Sequence, residues 1–335
     1  MKAYEIEQGS QSLAGLTRVD LPDPKPGAGQ ILVRMRATSL NFRDQLIITG
    51  GYFGGAVTRN TIPLSDGAGE VVDSGSGVTR FKTGDRVSGT FFQAWAEGPP
   101  PGRLVALGAP ADGVLAEYRV FDQNDAVAIP KSLSFEEGAT LACAGVTAWH
   151  AIGPVCGVKP GDSVLVLGSG GVAMFALQLA RAAGARVIMT SSSDEKLARG
   201  KALGADAGVN YKRTPEWDRE VLELTDGRGV NHVIELGGPG TLARSMRSVA
   251  YGGHLALIGV LAGFEGDTNP HPIMLKGASM HGIFVGNRAH FEQLNAAIEV
   301  NRIKPVIDRT FPFERAADAF RYQKAGAFGK VVITL

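Results

Sequence analysis

The sequence predicts an α/β chain of two domains, an antiparallel barrel or curled sheet joined to a doubly wound parallel sheet. Three observations lead there. The 335 residues exceed what one ordinary core accommodates. The first ~125 residues read as short strands cut by turns with no helices between them. From about Ala144 the pattern changes to strand, helix, strand, helix.

Hydrophobic residues make up 44% and charged residues 20%, a balance that excludes a disordered chain. Lys and Arg number 34 against 33 Asp and Glu, so the net charge of +1 creates no field toward nucleic acid or membrane. Two cysteines, Cys143 and Cys156, argue against a disulfide framework. The opening MKAYEIEQGS lacks a signal-peptide core, and no apolar run approaches the ~20 residues of a membrane span. A cytoplasmic location is the expectation. Glycine is in excess, 45 residues, and marks tight turns between short elements.

LPDPKPGAGQ is a connector before ILVRMRATSL, whose alternation suits a half-buried strand. GAGEVVDSGSGV predicts a strand, a turn and a return strand, and FKTGDRVSG another turn into a strand at Arg86–Ser88. Phe92 to Asp112 reads as a long Gly- and Pro-rich loop, either a pocket wall carrying Phe91, Phe92 and Trp95 or a surface insertion. SVLVLG is a continuous apolar run suited to a parallel strand buried on both faces. VAMFALQLARAAGA has helical spacing ending at Gly184. RVIMTSSS is the next strand, and DEKLARGKALGA a helix with Ser193 as N-cap. VNHVIELGG, GHLALIGV and MHGIFVG supply three more strands. HFEQLNAAIEVNRI and FERAADAFRYQKAG are amphipathic helices before a last strand, KVVITL.

The most informative motif is Gly168-Ser169-Gly170-Gly171-Val172-Ala173, placed after a buried strand and opening a helix. Gly168 and Gly170 permit the tight turn and the approach of a pyrophosphate. Ala173 replaces a third glycine. The N–H groups of Gly171 and Val172 would face phosphate oxygens at the positive helix end. An acidic residue ~20 positions on would grip the adenosine ribose of NAD. Here that stretch is Val187 to Ser193, with no carboxylate. Ser191 and Ser192 can donate to a 2′-phosphate, with Lys196 for charge and Tyr211 as a further donor. NADPH is therefore expected over NADH. The alternative is a serine N-cap beside a solvated lysine. Later strand ends place Gly237, then Ile258, Gly259 and Val260, then Phe284 and Val285, toward the cofactor.

These pieces in this order resemble the medium-chain dehydrogenase/reductase superfamily. The resemblance runs through LPDPKPGAGQILVRMRATSLN, GDRV, FEEGATLACAGVTAW, the glycine turn, ALGAD and GKVVITL. Within it the chain is similar to the zinc-independent quinone oxidoreductase branch, or to an alcohol dehydrogenase-like relative. The resemblance implies a GroES-like β-barrel catalytic domain at residues 1–144, completed by 288–335, around a Rossmann domain at 145–287. It implies an active site in the cleft between them, a small-molecule substrate and a homodimer through the edge strand Gly282-Ile283-Phe284-Val285. It also implies Thr147 as a cofactor contact.

Zinc-dependent members hold their metal with Cys, His and Cys. The matching positions here are Asn41, Ser65 and Cys143, with Asp66 matching a neighbouring acid. One thiolate cannot satisfy a site that needs three protein ligands, so no zinc is expected and Cys143 is read as a buried apolar residue. Hydride transfer without a metal needs hydrogen-bond donors at the developing oxyanion. Enones and quinones spread that charge, which favours them as substrates. Asn41 is the candidate donor beside the cofactor, or else a turn-stabilising side chain. Arg43 and Asp44 are expected to pair with each other. Tyr52 is a candidate proton donor or pocket wall. His150 is read as core packing, and the six histidines have no metal spacing. Two alternatives stay open, a zinc-free alcohol or aldehyde dehydrogenase and an NADPH-binding redox sensor or structural protein with little turnover.

Overall fold

A computed structural model describes residues 1–52 and 55–335; Phe53 and Gly54 of the ITGGYFGG segment lie outside the described residues. The chain divides into two compact units. One joins Met1–Val146 to Gly286–Leu335, and the other is Thr147–Val285.

The first unit is built on the ten-residue strand Gln30–Ser39. Ile31, Val33, Met35 and Ala37 alternate inward, as the period of two requires. This strand pairs antiparallel with Asp66–Ser74. It also pairs antiparallel with Tyr118–Asp122 through its first half and with Lys330–Thr334 through its second. Arg86–Gly89 and Ala126–Ala128 extend the sheet beyond Asp66–Ser74, and Ile307–Pro312 lies outside Lys330–Thr334. Lys330–Thr334 thus joins this sheet from the far end of the sequence, with Val332 opposite Ser39 and Thr334 opposite Ala37.

Three expectations change here. The first ~125 residues are not free of helices, since Phe42–Ile48 forms one between the strands Gln30–Ser39 and Asp66–Ser74. The return strand after Asp66–Ser74 does not follow at once; it is Arg86–Gly89, which pairs with Ala68, Gly69 and Glu70. The segment from Phe92 to Asp112 is not a bare loop. Phe92–Gln93 pairs with Val105–Ala106, and Phe91, Phe92 and Trp95 are buried as an aromatic cluster. Apolar burial holds this hairpin despite its Gly and Pro content.

The second unit is a six-stranded, all-parallel sheet, as the sequence predicts. Its order is Ala207–Asn210, Arg186–Ser191, Ser163–Val166, Val230–Glu235, Val249–Leu257, Ser279–Gly282. Val164, Leu165 and Val166 are fully buried, which explains the uninterrupted apolar run. Chain order reverses between Ser163–Val166 and Val230–Glu235, where doubly wound sheets open a crevice for ligands. The helix Gly171–Ala182 ends just before Gly184, whose φ of +84° suits glycine at a helix end. Ser193 caps Asp194–Ala202, its hydroxyl accepting from Lys196 N–H at 3.4 Å. The edge strand stops at Gly282, so the expected Gly282–Val285 strand is corrected. Val285 has a φ of +55°, which no extended strand accommodates.

Candidate functional site

In the second unit, the strand Ser163–Val166 runs through Leu167 into the glycine turn and the twelve-residue helix Gly171–Ala182. Gly168 takes a φ of +79°, and its N–H donates to Thr190 Oγ1 at 3.2 Å. Gly170 is different. Its φ is −81°, open to any residue, and a Cβ there would meet nothing within 4 Å. Neither backbone nor packing demands a glycine at 170. What the missing side chain leaves is open space before the first N–H groups of a helix, at Gly171 and Val172, which suits a pyrophosphate.

Beside the turn is a cavity of about 320 Å³, lined by Gly168, Thr190, Tyr211, Trp217, Gly237 and Arg244 among others. The Tyr211 N–H donates to the Ser191 carbonyl at 3.1 Å, which brings that end of the second strand to the same corner. Ser191 is buried, and its hydroxyl accepts from Ser193 N–H at 3.4 Å. Ser192 and Lys196 are half-buried next to it. The nearest following carboxylate, Asp194, receives Asn210 Nδ2 at 2.9 Å and Arg213 at 3.1 Å, so its charge is already matched.

Glu235 ends the fourth strand in chain order and is fully buried. Its carboxylate accepts from Gly237 N–H at 2.7 Å, Gly238 N–H at 2.9 Å and Thr241 Oγ1 at 2.6 Å, and from the Ser245 hydroxyl. It thereby shapes the wall at Gly237. The N–H groups of Ile258 and Gly259 donate to the Glu235 carbonyl at 2.9 and 3.2 Å. Gly259 approaches so closely that a Cβ would stand 1.8 Å from the Leu236 carbonyl oxygen. Gly237, Ile258, Gly259 and Val260 therefore share one corner. Thr147, Phe284 and Val285 do not line the cavity. Thr147 is buried and Phe284 half-exposed, while the Val285 carbonyl lies 2.8 Å from His150 Nδ1.

In the first unit, Asn41 caps the helix Phe42–Ile48, and its N–H donates to Asp44 Oδ2 at 2.7 Å. The Asn41 side chain joins a buried polar cluster. Lys330 Nζ donates to Asn41 Oδ1 at 2.6 Å and to the Leu40 carbonyl at 2.8 Å, and lies 3.6 Å from Asp66 Oδ2. Asn41 Nδ2 donates to the Ser65 hydroxyl at 3.4 Å, which donates to Asp66 Oδ1 at 2.7 Å. Cys143 N–H donates to Asp66 Oδ2 at 3.1 Å. The thiol of Cys143 is pushed far up by burial and then by the Asp66 charge, which keeps it protonated. The thiol is enclosed while the residue as a whole keeps some exposure, so Cys143 departs from the expected buried residue only in that exposed part.

Arg43 and Asp44 do not pair as expected. Arg43 turns away, donating to the Leu107 carbonyl at 2.7 Å and the Ala109 carbonyl at 3.0 Å. Its guanidinium lies 4.9 Å from the Tyr52 ring centroid and 4.8 Å from that of Phe91. Tyr52 is thus part of a packed wall. Asp44 stays with Asn41, and burial pushes its carboxyl up to about 6, against the opposing effect of Arg43. Lys330 and Glu235 escaped sequence reasoning. Their signal was a charge at the end of an apolar strand beside glycine, Gly329-Lys330-Val331 and Ile234-Glu235-Leu236-Gly237.

The family described as alcohol dehydrogenase GroES-like domain matches residues 27–131, and that described as zinc-binding dehydrogenase matches 171–299. A zinc-type alcohol dehydrogenase-like protein of Schizosaccharomyces pombe is 44% identical over 322 residues, covering 93% of this chain and 92% of the relative. The quinone oxidoreductase of Rattus norvegicus is 31% identical, over 94% of this chain and 92% of its own. A solved NAD-dependent alcohol dehydrogenase is 32% identical with a TM-score of 0.91, both chains covered in full. The glycine turn, the parallel sheet and these relatives agree: the chain belongs to the medium-chain dehydrogenase/reductase superfamily and is an NAD(P)H-dependent oxidoreductase.

Proposed function

We propose that the protein is an NADPH-dependent, zinc-independent reductase of quinones or α,β-unsaturated carbonyls. The observation that carries the cofactor choice is the corner at Ser191, Ser192, Lys196 and Tyr211, with hydroxyls, an ammonium and, at the end of the strand itself, no carboxylate; the following Asp194 is matched by Asn210 and Arg213. A 2′-phosphate favours such a corner, and a buried Asp or Glu would repel it. The open space at Gly170 suits the pyrophosphate, and the adjoining cavity offers room beside the serine corner for the adenosine half.

The donor set at Asn41, Ser65 and Cys143 does not fit zinc. It consists of an amide, a hydroxyl and a single thiol, where a catalytic zinc takes three thiolate, imidazole or carboxylate ligands. The ammonium of Lys330, bonded to Asn41 and near Asp66, already supplies a positive charge at this spot. A second cation would be repelled. Among the described residues no three His, Cys, Asp or Glu side chains converge on a metal position.

When bound, the reduced nicotinamide supplies a hydride. Asn41 donates a hydrogen bond to the acceptor's oxygen as negative charge gathers there. A conjugated acceptor spreads that charge, so a neutral amide suffices where an isolated ketone would need a Lewis acid. The enolate or hydroquinone anion is then protonated from solvent.

Purified protein given NADPH with an enone, a quinone or a saturated aldehyde tests the reading. Oxidation of NADPH by the conjugated acceptors, insensitive to chelators, is expected. Preference for the saturated aldehyde would favour an alcohol or aldehyde dehydrogenase, and binding without turnover a sensor. Stoichiometric zinc whose removal abolished turnover would contradict the metal-free chemistry.

A further inference from the structure

We infer that Lys330 is a positioning residue that sets which end of the Asn41 amide meets the substrate. The inference rests on Asn41 acting as donor in the reading above. An asparagine amide has an acceptor end and a donor end, exchanged by a half-turn. Only the donor end can stabilise an oxyanion. Lys330 has three donors and no acceptor, so at 2.6 Å it can face only Oδ1. A half-turn would set NH₂ against NH₃⁺ in a buried site.

The opposite neighbour selects the same orientation. The Ser65 proton is committed to Asp66 Oδ1 at 2.7 Å, which leaves the Ser65 oxygen as an acceptor for Nδ2. One of the two Nδ2 hydrogens suffices for that contact. Asp66 thus acts twice, orienting Ser65 and offsetting the ammonium. Drawing electron density from Oδ1 also makes the Nδ2 hydrogens better donors, because hydrogen bonds in a chain polarise one another. Lys330 is 3% exposed and is held by the Leu40 carbonyl, so the ammonium itself stays in place.

Lys330→Met, Asn41→Ala and the double variant form a mutant cycle. Lys330→Met should lower kcat about 10- to 100-fold, as expected for a lost oxyanion donor, with the KM for NADPH nearly unchanged. In the Asn41→Ala background the same change should cost no more than about twofold, because its route of action is gone. Lys330→Arg should restore much of kcat. If Lys330→Met does not fold, Lys330→Gln carries the same cycle without the charge.

A second readout needs no substrate. The side-chain amide NMR signals of Asn41 should shift and broaden on loss of the Lys330 charge. Equal losses of kcat with and without Asn41, or unchanged amide signals, would overturn the inference. A protein that turned over no enone or quinone would instead sink the functional reading, while the amide signals still decided the orientation.

Discussion

The N–H of Gly168 donates to Thr190 Oγ1 at 3.2 Å, tying the turn after the first parallel strand to the end of the second. The two ends of the proposed dinucleotide site are thereby held in one piece, the glycine turn on one side and the serine corner on the other. Preorganised N–H groups need no rearrangement when an anion arrives.

Two glycines near this turn should respond oppositely to substitution. Gly170→Val places its side chain in open space at an ordinary φ, so the melting temperature should change little. The branched side chain would occupy the approach to the helix N-terminus, and nucleotide affinity should fall at least about tenfold. Gly259→Ala would drive a Cβ to 1.8 Å from the Leu236 carbonyl, and should destabilise the fold itself. Thermal denaturation alongside calorimetric binding separates the two, and equal behaviour would contradict the account.

Asp44 gives a pH prediction with a definite sign. Burial raises its carboxyl from 3.8 to about 6, so the folded state holds the proton more tightly than the unfolded chain. Its contribution is complete below the ordinary carboxyl range and is lost as pH rises through about 6. Asp44→Asn keeps an acceptor for the Asn41 N–H and has no charge to bury. The variant should gain roughly 1–3 kcal/mol over wild type at pH 8, a gain that shrinks toward zero near pH 4. Urea unfolding at the two pH values checks this, and a pH-independent difference would refute it.

Arg43 satisfies two carbonyls of the segment after Val105 while packed against Tyr52 and Phe91. Arg43→Met should cost about 3 kcal/mol, since one buried and one part-buried carbonyl lose charge-assisted bonds. Lys at this position should recover little, because an ammonium neither forks to two carbonyls nor stacks on a ring. Denaturant midpoints of the two variants measure this, and near-wild-type stability of Arg43→Met would contradict it.

The outer strand Ser279–Gly282 pairs only on its Val249–Leu257 side among the described residues. Close to it in sequence, Met274 is 66%, Leu275 64%, Phe284 47% and Met280 39% exposed. We propose that a second copy of the chain covers this edge. Light scattering after gel filtration should report a dimer, and Met280→Lys should shift it toward monomer. A monomeric wild type would refute it.

Much of the fold was legible because it rests on local pattern. The uninterrupted apolar run at Val164 to Leu167, the glycines at 168 and 170 and the cap at Ser193 all signal through neighbours in the chain. The polar cluster was only half legible. Asn41, Ser65 and Cys143 could be aligned by resemblance, yet the partner of the Asn41 side-chain oxygen is Lys330, 289 positions away. Arg43 and Asp44 looked like a pair because they adjoin, but a capping bond and two distant carbonyls outcompete that contact. The segment from Phe92 to Asp112 misled for a similar reason. Its Gly and Pro residues read as loop, while Phe91, Phe92 and Trp95 supply the burial that orders it.

The most direct test of the central claim is calorimetric titration of wild type and Lys196→Glu with NADPH and with NADH. Wild type should bind NADPH more tightly. The charge reversal should weaken NADPH about 10- to 100-fold, the scale of a charge-assisted contact, and leave NADH nearly unchanged. Equal losses for both nucleotides would remove the 2′-phosphate from the account, and no affinity for either would contradict it outright.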